Sequence, residues 1–488
     1  MQSFTWPMAD QFLDRTEELA RLERWWSGPE RMPVNLYGRR RVGKSWLFRR
    51  FANGKRAVIL VARKTAVGPQ LSAFGRELTP YLGLEPALPD LAALFRVLFR
   101  AAASEKLLVV IDEFPWLLPT TEASTDAVLS TIQAVMEEER DSSRLKLILC
   151  GSLIGQMESL QAERNPLHGR LIPMQLHPLP FVEASLFLDH LSPVDRFERF
   201  AITGGMPRYL DTLGKAQNLK DALRDEVLNR NAPLWDEGRA ILEQELREPK
   251  MYFAVLQALA SGDKELNEVT QLLRAENTTV SKYLSTLKDM RIVGRHLPVG
   301  ADPQSRSGHW HLSDPFFRFW FRYVFPYQDE LENGLSAANL FASEIEPSLN
   351  DHVAVEFEQW CRAWTRATHG HNATKVGAWW GRATLETQRS HGRTSEEIDV
   401  VGLRRGRITV VGEAKWQNRP LGASIITDLD NFKIPALRSA GYKLSDDVKI
   451  LLFAKSGYTA ALVRAAAHDP RVVIVDVPEA LTTAAATE

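Results

Sequence analysis

Residues 38–45 read Gly38-Arg39-Arg40-Arg41-Val42-Gly43-Lys44-Ser45. Glycines at 38 and 43 let the backbone curl until its N–H groups converge, and a helix starting just beyond adds positive potential. Such a turn holds phosphate oxygens. Lys44 reaches the outer phosphates and Ser45 offers a hydroxyl to magnesium. A second chemical element is Asp112-Glu113, at the end of the apolar run 107–111. Asp112 is placed to hold the magnesium through water, and Glu113 to polarise an attacking water. A third element spans 399–415. Asp399 lies in one strand-like run, and Glu413 and Lys415 lie two apart in the next, so the latter pair points to one face. Two carboxylates and a lysine on one face suit metal-assisted phosphodiester hydrolysis: the carboxylates hold magnesium or manganese, and the lysine stabilises developing negative charge.

The elements that must position these groups are legible from periodicity. Short apolar runs at 33–37, 57–62, 107–111, 145–150 and 171–176 alternate with helical stretches such as 89–103 and 124–140. That alternation predicts a parallel sheet covered on both faces. Strand signals fade after about 180, where 181–247 reads as helical around the Gly-Gly-Met-Pro start at 204–207. Residues 251–261, 265–274 and a third helix capped by Asn277 or Thr278 precede strand-like segments at 292–297 and 310–312, the pattern of a winged helix-turn-helix. Its third helix either enters a DNA groove or belongs to a regulatory module. Lys282 and Lys288 are the only cations it carries, which favours the second. The aromatic run 314–323 is either a base-stacking surface or a buried helix, and packing is the commoner use. Beyond 350, a helix near 351–367 precedes strands near 398–403, 408–414, 448–453 and 472–477.

At 488 residues and 44% apolar content, the chain is too long for one core. No run reaches the length needed to span a bilayer, and the first twelve residues lack the pattern of a secretory signal. Two cysteines, Cys150 and Cys361, lie far apart, so neither a disulfide framework nor a CxxC zinc site is expected, and a cytoplasmic location fits. A net charge of −1 excludes a globally basic nucleic-acid binder. Residues 362–420 nevertheless hold nine Arg and two Lys against four Glu and one Asp, a local surplus of six positive charges.

The order of elements resembles the additional-strand, catalytic-glutamate class of P-loop ATPases. That resemblance implies that Ser152, at the end of the next strand, senses the γ-phosphate. Arg170 is either a group that neutralises transition-state charge or a surface arginine. The segments 12–19, 38–45, 111–117, 149–152, 168–179 and 204–210 together resemble the archaeal-type, AAA-like ATPases of the STAND superclass, which are switch proteins. The resemblance implies that 204–210 approaches the nucleotide; Arg15 either lies by the adenine or is a capping or surface residue. Glu358, Asp399, Glu413 and Lys415, with Trp379-Trp380-Gly381 before them, resemble the PD-(D/E)XK nuclease superfamily. There Glu358, or alternatively Glu356, completes a metal site with Asp399 and Glu413. The expected fold class is thus α/β multidomain: a P-loop ATPase core over 1–180, a helical lid over 181–248, a winged helix-turn-helix over 249–325 and a nuclease-like α/β domain over 326–488. The expected cofactors are ATP and Mg2+. DNA and ATP-dependent self-association are the expected partnerships. The alternative is an ATP-regulated DNA-binding or signalling protein whose last domain does not cleave.

Overall fold

The computed structural model describes residues 15–483 except 247, 303, 306 and 307. The first three residues of the 12–19 motif, and residues 484–488, lie outside the described residues. The chain divides into two compact units. One runs to Pro178 and includes Met206–Arg208; the other comprises Leu179–Gly205 and the chain from Tyr209 onward.

The first unit is built on five parallel strands: β1 (Val34–Tyr37), β2 (Ala57–Val61), β3 (Leu107–Asp112), β4 (Leu145–Gly151) and β5 (Ile172–Gln175), in the order β2-β3-β4-β1-β5. Leu107 to Ile111 are wholly buried, which is why that run is apolar without alternation. Helices Lys44–Ala52, Val67–Leu82, Leu91–Ala101 and Glu122–Glu139 accompany the sheet. The helix Leu91–Ala101 starts because the Asp90 carboxylate accepts from the Ala93 N–H, and it buries Leu91, Leu94, Phe95 and Leu98. Burial contributes about 1.5–3 kcal/mol per such side chain and the cap about 1 kcal/mol, so packing dominates. Strand β4 lies between β1 and β3, with Tyr37 beside Gly151 and Ile111 beside Leu149. Loop 38–43, Asp112 and Ser152 therefore all leave the same end of the sheet.

The second unit contains three helices, Lys250–Ala260, Leu266–Leu273 and Asn277–Asp289, followed by the antiparallel pair β6 (Val293–His296) and β7 (His309–Leu312). The third helix starts as expected, but its cap is Glu276, with no side-chain cap bond; Asn277 instead donates to Asn267. Phe316, Phe317, Phe319, Trp320 and Phe321 are at most 1% exposed, so the aromatic run is core, started by an Asp314 cap on the Phe317 N–H. A mixed five-stranded sheet follows: β8 (Lys375–Arg382), β9 (Ser395–Arg404), β10 (Arg407–Lys415), β11 (Lys443–Ala454) and β12 (Val472–Asp476), in chain order across the sheet. β9 and β10 join through Arg405 and Gly406, at φ 50° and 77°, the left-handed pair that a two-residue hairpin turn requires. The long helix Glu346–His369 buries Val353, Phe357, Trp360 and Cys361 with Val400, Val410, Ala414 and Trp416 of the sheet. Phe181, Phe197 and Ala201 belong to the same cluster. The start of the segment expected as a separate helical lid thus shares its core with the C-terminal sheet. Cys150 and Cys361 are both buried and free. Among the described residues, no helix is long and apolar enough to cross a membrane.

Candidate functional site

In the first unit, β1 ends at Tyr37, the chain bends, and the helix opens at Lys44. A Cβ at residue 38 would lie 2.4 Å from the Leu176 carbonyl oxygen, and Gly43 has φ 101°, so both positions require glycine. Arg41 is also left-handed, at φ 69°. The Lys44 side chain is only 7% exposed, and its Nζ donates to the carbonyls of Gly38 at 2.7 Å and Arg39 at 3.0 Å. Ser45 is the second residue of the helix. Behind the loop, the buried Arg15 guanidinium donates to the carbonyls of Val42 at 3.1 Å and His177 at 2.6 Å. Pro207, from the 204–210 motif, comes within 3.8 Å of where a Cβ on Gly43 would sit. Pro207 belongs to the stretch Met206–Arg208 that the first unit includes.

Asp112 is the last residue of β3, and burial raises its carboxyl above the ordinary range, opposed by a hydrogen bond with the Cys150 thiol and by the Lys44 charge. Glu113 is held left-handed at φ 54°, a conformation that costs a non-glycine residue about 1–3 kcal/mol. Its Oε2 accepts from the Ser152 hydroxyl at 2.9 Å and from the Ser152 N–H at 3.3 Å. The strained backbone and the serine together fix one carboxylate position, the state expected of a group that must orient water. Glu113→Gln is predicted to keep nucleotide affinity and lower ATP turnover about 100-fold or more; unchanged turnover in a steady-state phosphate-release assay would remove Glu113 from that role. Arg170 is held by Glu137, at 2.7 Å, and by the His168 carbonyl, at 3.1 Å, on the exposed surface. This is the surface alternative rather than a group aimed at the loop.

The second unit carries the C-terminal set. The register of the β9–β10 hairpin, with Gly412 beside Val400, sets Asp399 next to Glu413. Asp399 Oδ2 accepts from the Ala414 N–H and from Lys415 Nζ, each at 2.8 Å. Lys415 Nζ also lies 2.8 Å from Glu413 Oε2, while Lys433 Nζ donates to Glu413 Oε1 at 2.6 Å. Glu413 is fully buried, and burial, then the neighbouring Asp399 charge, raises its carboxyl. Burial, then Asp399, pushes Glu358 up to about 8. Glu356 is instead paired with Arg318 at 2.9 Å. Of the two helical carboxylates, Glu358 is therefore the one electrostatically joined to Asp399. Arg362, one turn on, donates to the Asp399 carbonyl at 2.9 Å and lies 3.6 Å from Glu358. Arg362 and Lys433 were not picked out from sequence. Arg362 had a signal, its i,i+4 spacing from Glu358; Lys433 had none, since it arrives from a separate helical segment.

A five-stranded parallel sheet with a glycine-bent phosphate loop between its first strand and the helix that follows, and an acidic pair at the end of β3, defines a P-loop ATPase-type unit. Residues 12–213 match the family described as "ATPase domain predominantly from Archaea". Residues 320–426 match a family described as "Archaea bacterial proteins of unknown function". The chain thus carries an archaeal-type ATPase domain, with a separate sheet domain following it. An uncharacterized protein of Methanocaldococcus jannaschii is 26% identical over 83% of this chain and 88% of its own. An uncharacterized ATP-binding protein of the same organism is 47% identical over 45 residues, which is 9% of this chain and 76% of that protein. A Walker-type ATPase of Pyrococcus abyssi aligns with a TM-score of 0.49 at 19% identity, covering 64% of this chain and 97% of that one.

Proposed function

We propose that this chain is an ATP-hydrolysing switch whose C-terminal sheet domain is a metal-dependent nuclease acting on DNA. In the first unit, the amides of residues 39–43 wrap the triphosphate, Lys44 exchanges its carbonyl partners for phosphate oxygens, and Ser45 and Asp112 hold magnesium. The bent loop suits that ligand: its glycines allow a backbone path that a side chain would block, and the half-buried Asp112 carboxylate feels the Lys44 charge. Magnesium, when bound, neutralises phosphate charge. Glu113, steadied by Ser152, orients the attacking water.

The observation that carries the nuclease reading is the convergence of Asp399, Glu413 and Glu358 around Lys415. Three buried or half-buried carboxylates side by side, two of them raised by burial and then by Asp399, form an oxygen-rich cluster that suits a divalent cation. Such a cation supplies Lewis-acid neutralisation of a phosphodiester. Lys415 stabilises the negative charge that develops, and the basic stretch 362–420 attracts the polyanion. Incubating the intact protein with plasmid DNA and Mg2+ or Mn2+, with and without ATP, tests this; nicking is the predicted result. A second reading, a domain that binds without cutting, is favoured by one feature. Lys415 already bridges both carboxylates at 2.8 Å and leaves them compensated without a metal. Intact plasmid under every metal condition would select that reading.

Glu358 also makes a prediction that needs no ligand. Its folded-state value of about 8 exceeds its ordinary 4.5, so the native state holds a proton that the unfolded chain has lost. The stability this contributes is fully present below 4.5 and is lost as pH rises toward 8. In chelator, denaturant midpoints should fall between pH 6 and 8, and Glu358→Gln should flatten the fall. An identical slope in the variant would show that Glu358 is not the group responsible.

A further inference from the structure

Apart from these sites, one face of a small sheet in the second unit gathers imidazoles and carboxylates. Lys264 pairs with Trp310 of β7, its N–H donating to the Trp310 carbonyl at 2.9 Å and its carbonyl accepting from the Trp310 N–H at 2.7 Å. Across β7, Gly294 lies beside His311 and His296 beside His309. Alternation then puts Asp263, His296, His309 and His311 on one face, opposite to Lys264 and Trp310.

The side chains converge there. Donor atoms of Asp263, His296 and His311 all lie within 4.8 Å of one another. His296 Nδ1 is 3.5 Å from Asp263 Oδ2, and the His296 and His311 rings stack with centroids 3.4 Å apart. His311 is 6% exposed, and its Nδ1 has no hydrogen-bond partner among the described residues. Buried polar atoms normally find a partner, so an orphaned imidazole nitrogen beside a second imidazole and a carboxylate calls for one. Glycine at 294 makes the arrangement possible, because a Cβ there would lie 2.6 Å from the His311 ring.

We propose that Asp263, His296 and His311 bind a divalent transition cation of the zinc class, which ties the turn before Lys264 to the β6–β7 hairpin. Two imidazoles and one carboxylate suit zinc, cobalt or nickel, whereas magnesium and calcium prefer all-oxygen sets. Ligand distances of about 2.0–2.2 Å require the donors to draw closer together. Asp263 and His296, being the less buried members, can rotate to do so. Three protein donors leave a fourth position for water. The site uses no residue of the phosphate loop or of the Asp399 cluster, so it stands apart from the function proposed above.

The test uses the intact protein stripped with chelator and titrated with Co2+ while visible absorption is followed, then challenged with Zn2+. The expected result is an intense visible cobalt band, of the kind nitrogen ligation in a four-coordinate site gives, that saturates at one equivalent and is abolished by zinc, whereas Co2+ held by all-oxygen carboxylate sets adds only weak absorption. Asp263→Asn and His296→Gln each weaken zinc binding by about tenfold or more, whereas Glu332→Gln, at an exposed position outside every site described, binds as wild type does. Absence of a saturable band, or wild-type affinity in both Asp263→Asn and His296→Gln, would overturn the proposal. Asp263 is exposed and His296 half-buried, so both variants keep the core that buries His311.

Discussion

Lys44→Ala protein is expected to fold normally and to lose ATP turnover by about 1,000-fold or more. The buried Lys44 ammonium is held by two loop carbonyls, Gly38 and Arg39, and its charge bears on Asp112. Removing it takes away a fixed cation at the head of the loop and weakens the stabilisation of developing phosphate charge in a site sheltered from water. The fold survives because the packing around the sheet comes from residues such as Leu47, Phe48 and the β3 run, none of which depends on the lysine. Lys44→Arg is expected to fail as well, since a planar guanidinium cannot occupy the position of a point charge between two carbonyls. Melting by circular dichroism together with phosphate release checks both halves of the prediction. Turnover within about threefold of wild type would remove Lys44 from the chemistry.

The second large effect concerns Asp399. Asp399→Ala should abolish metal-dependent cleavage, by about 1,000-fold or more, while ATP turnover in the first unit continues. Asp399 Oδ2 is where the Ala414 amide and the Lys415 ammonium meet, so the side chain both holds charge and fixes Lys415. Without it, Lys415 collapses onto Glu413 alone. Asp399→Asn separates the two contributions: the amide oxygen can still accept from Ala414 while the charge is gone. Cleavage retained in Asp399→Asn would show that Asp399 only positions Lys415. Cleavage retained in Asp399→Ala would place the cutting activity elsewhere.

The phosphate loop was legible because its constraints are local: glycines where a Cβ would strike Leu176 or force a strained φ, then a lysine and a serine opening a helix. The five strands of the first unit were legible as short apolar runs, but their order was not. Nothing in residues 145–151 says that β4 pairs with β1 on one edge and β3 on the other, because parallel neighbours are chosen by tertiary packing. The β9–β10 hairpin was legible from its turn, and with it the Asp399–Glu413 juxtaposition. Strand β8 is marked in the sequence only by its tryptophan pair, because its run Lys375–Arg382 mixes exposed and half-buried positions without clean alternation. The choice between Glu356 and Glu358 was left open by sequence, since two positions on a helix point to different faces and the sequence does not reveal that Arg318 waits for the first. For the helices after Leu179, amphipathic spacing announced a buried face but not that Phe197 would meet Phe357 and Trp416. The histidine face escaped notice for a related reason. His-Trp-His in a strand looks ordinary until Asp263, far upstream, is paired beside it.

Titration calorimetry of the intact protein with Mg-ATP tests the central claim most directly. The account predicts saturable heat at one nucleotide per chain for wild type, retained in Glu113→Gln and greatly weakened in Lys44→Ala. Folded wild-type protein that yields no binding heat, or a Lys44→Ala protein that binds as tightly as wild type, would contradict it.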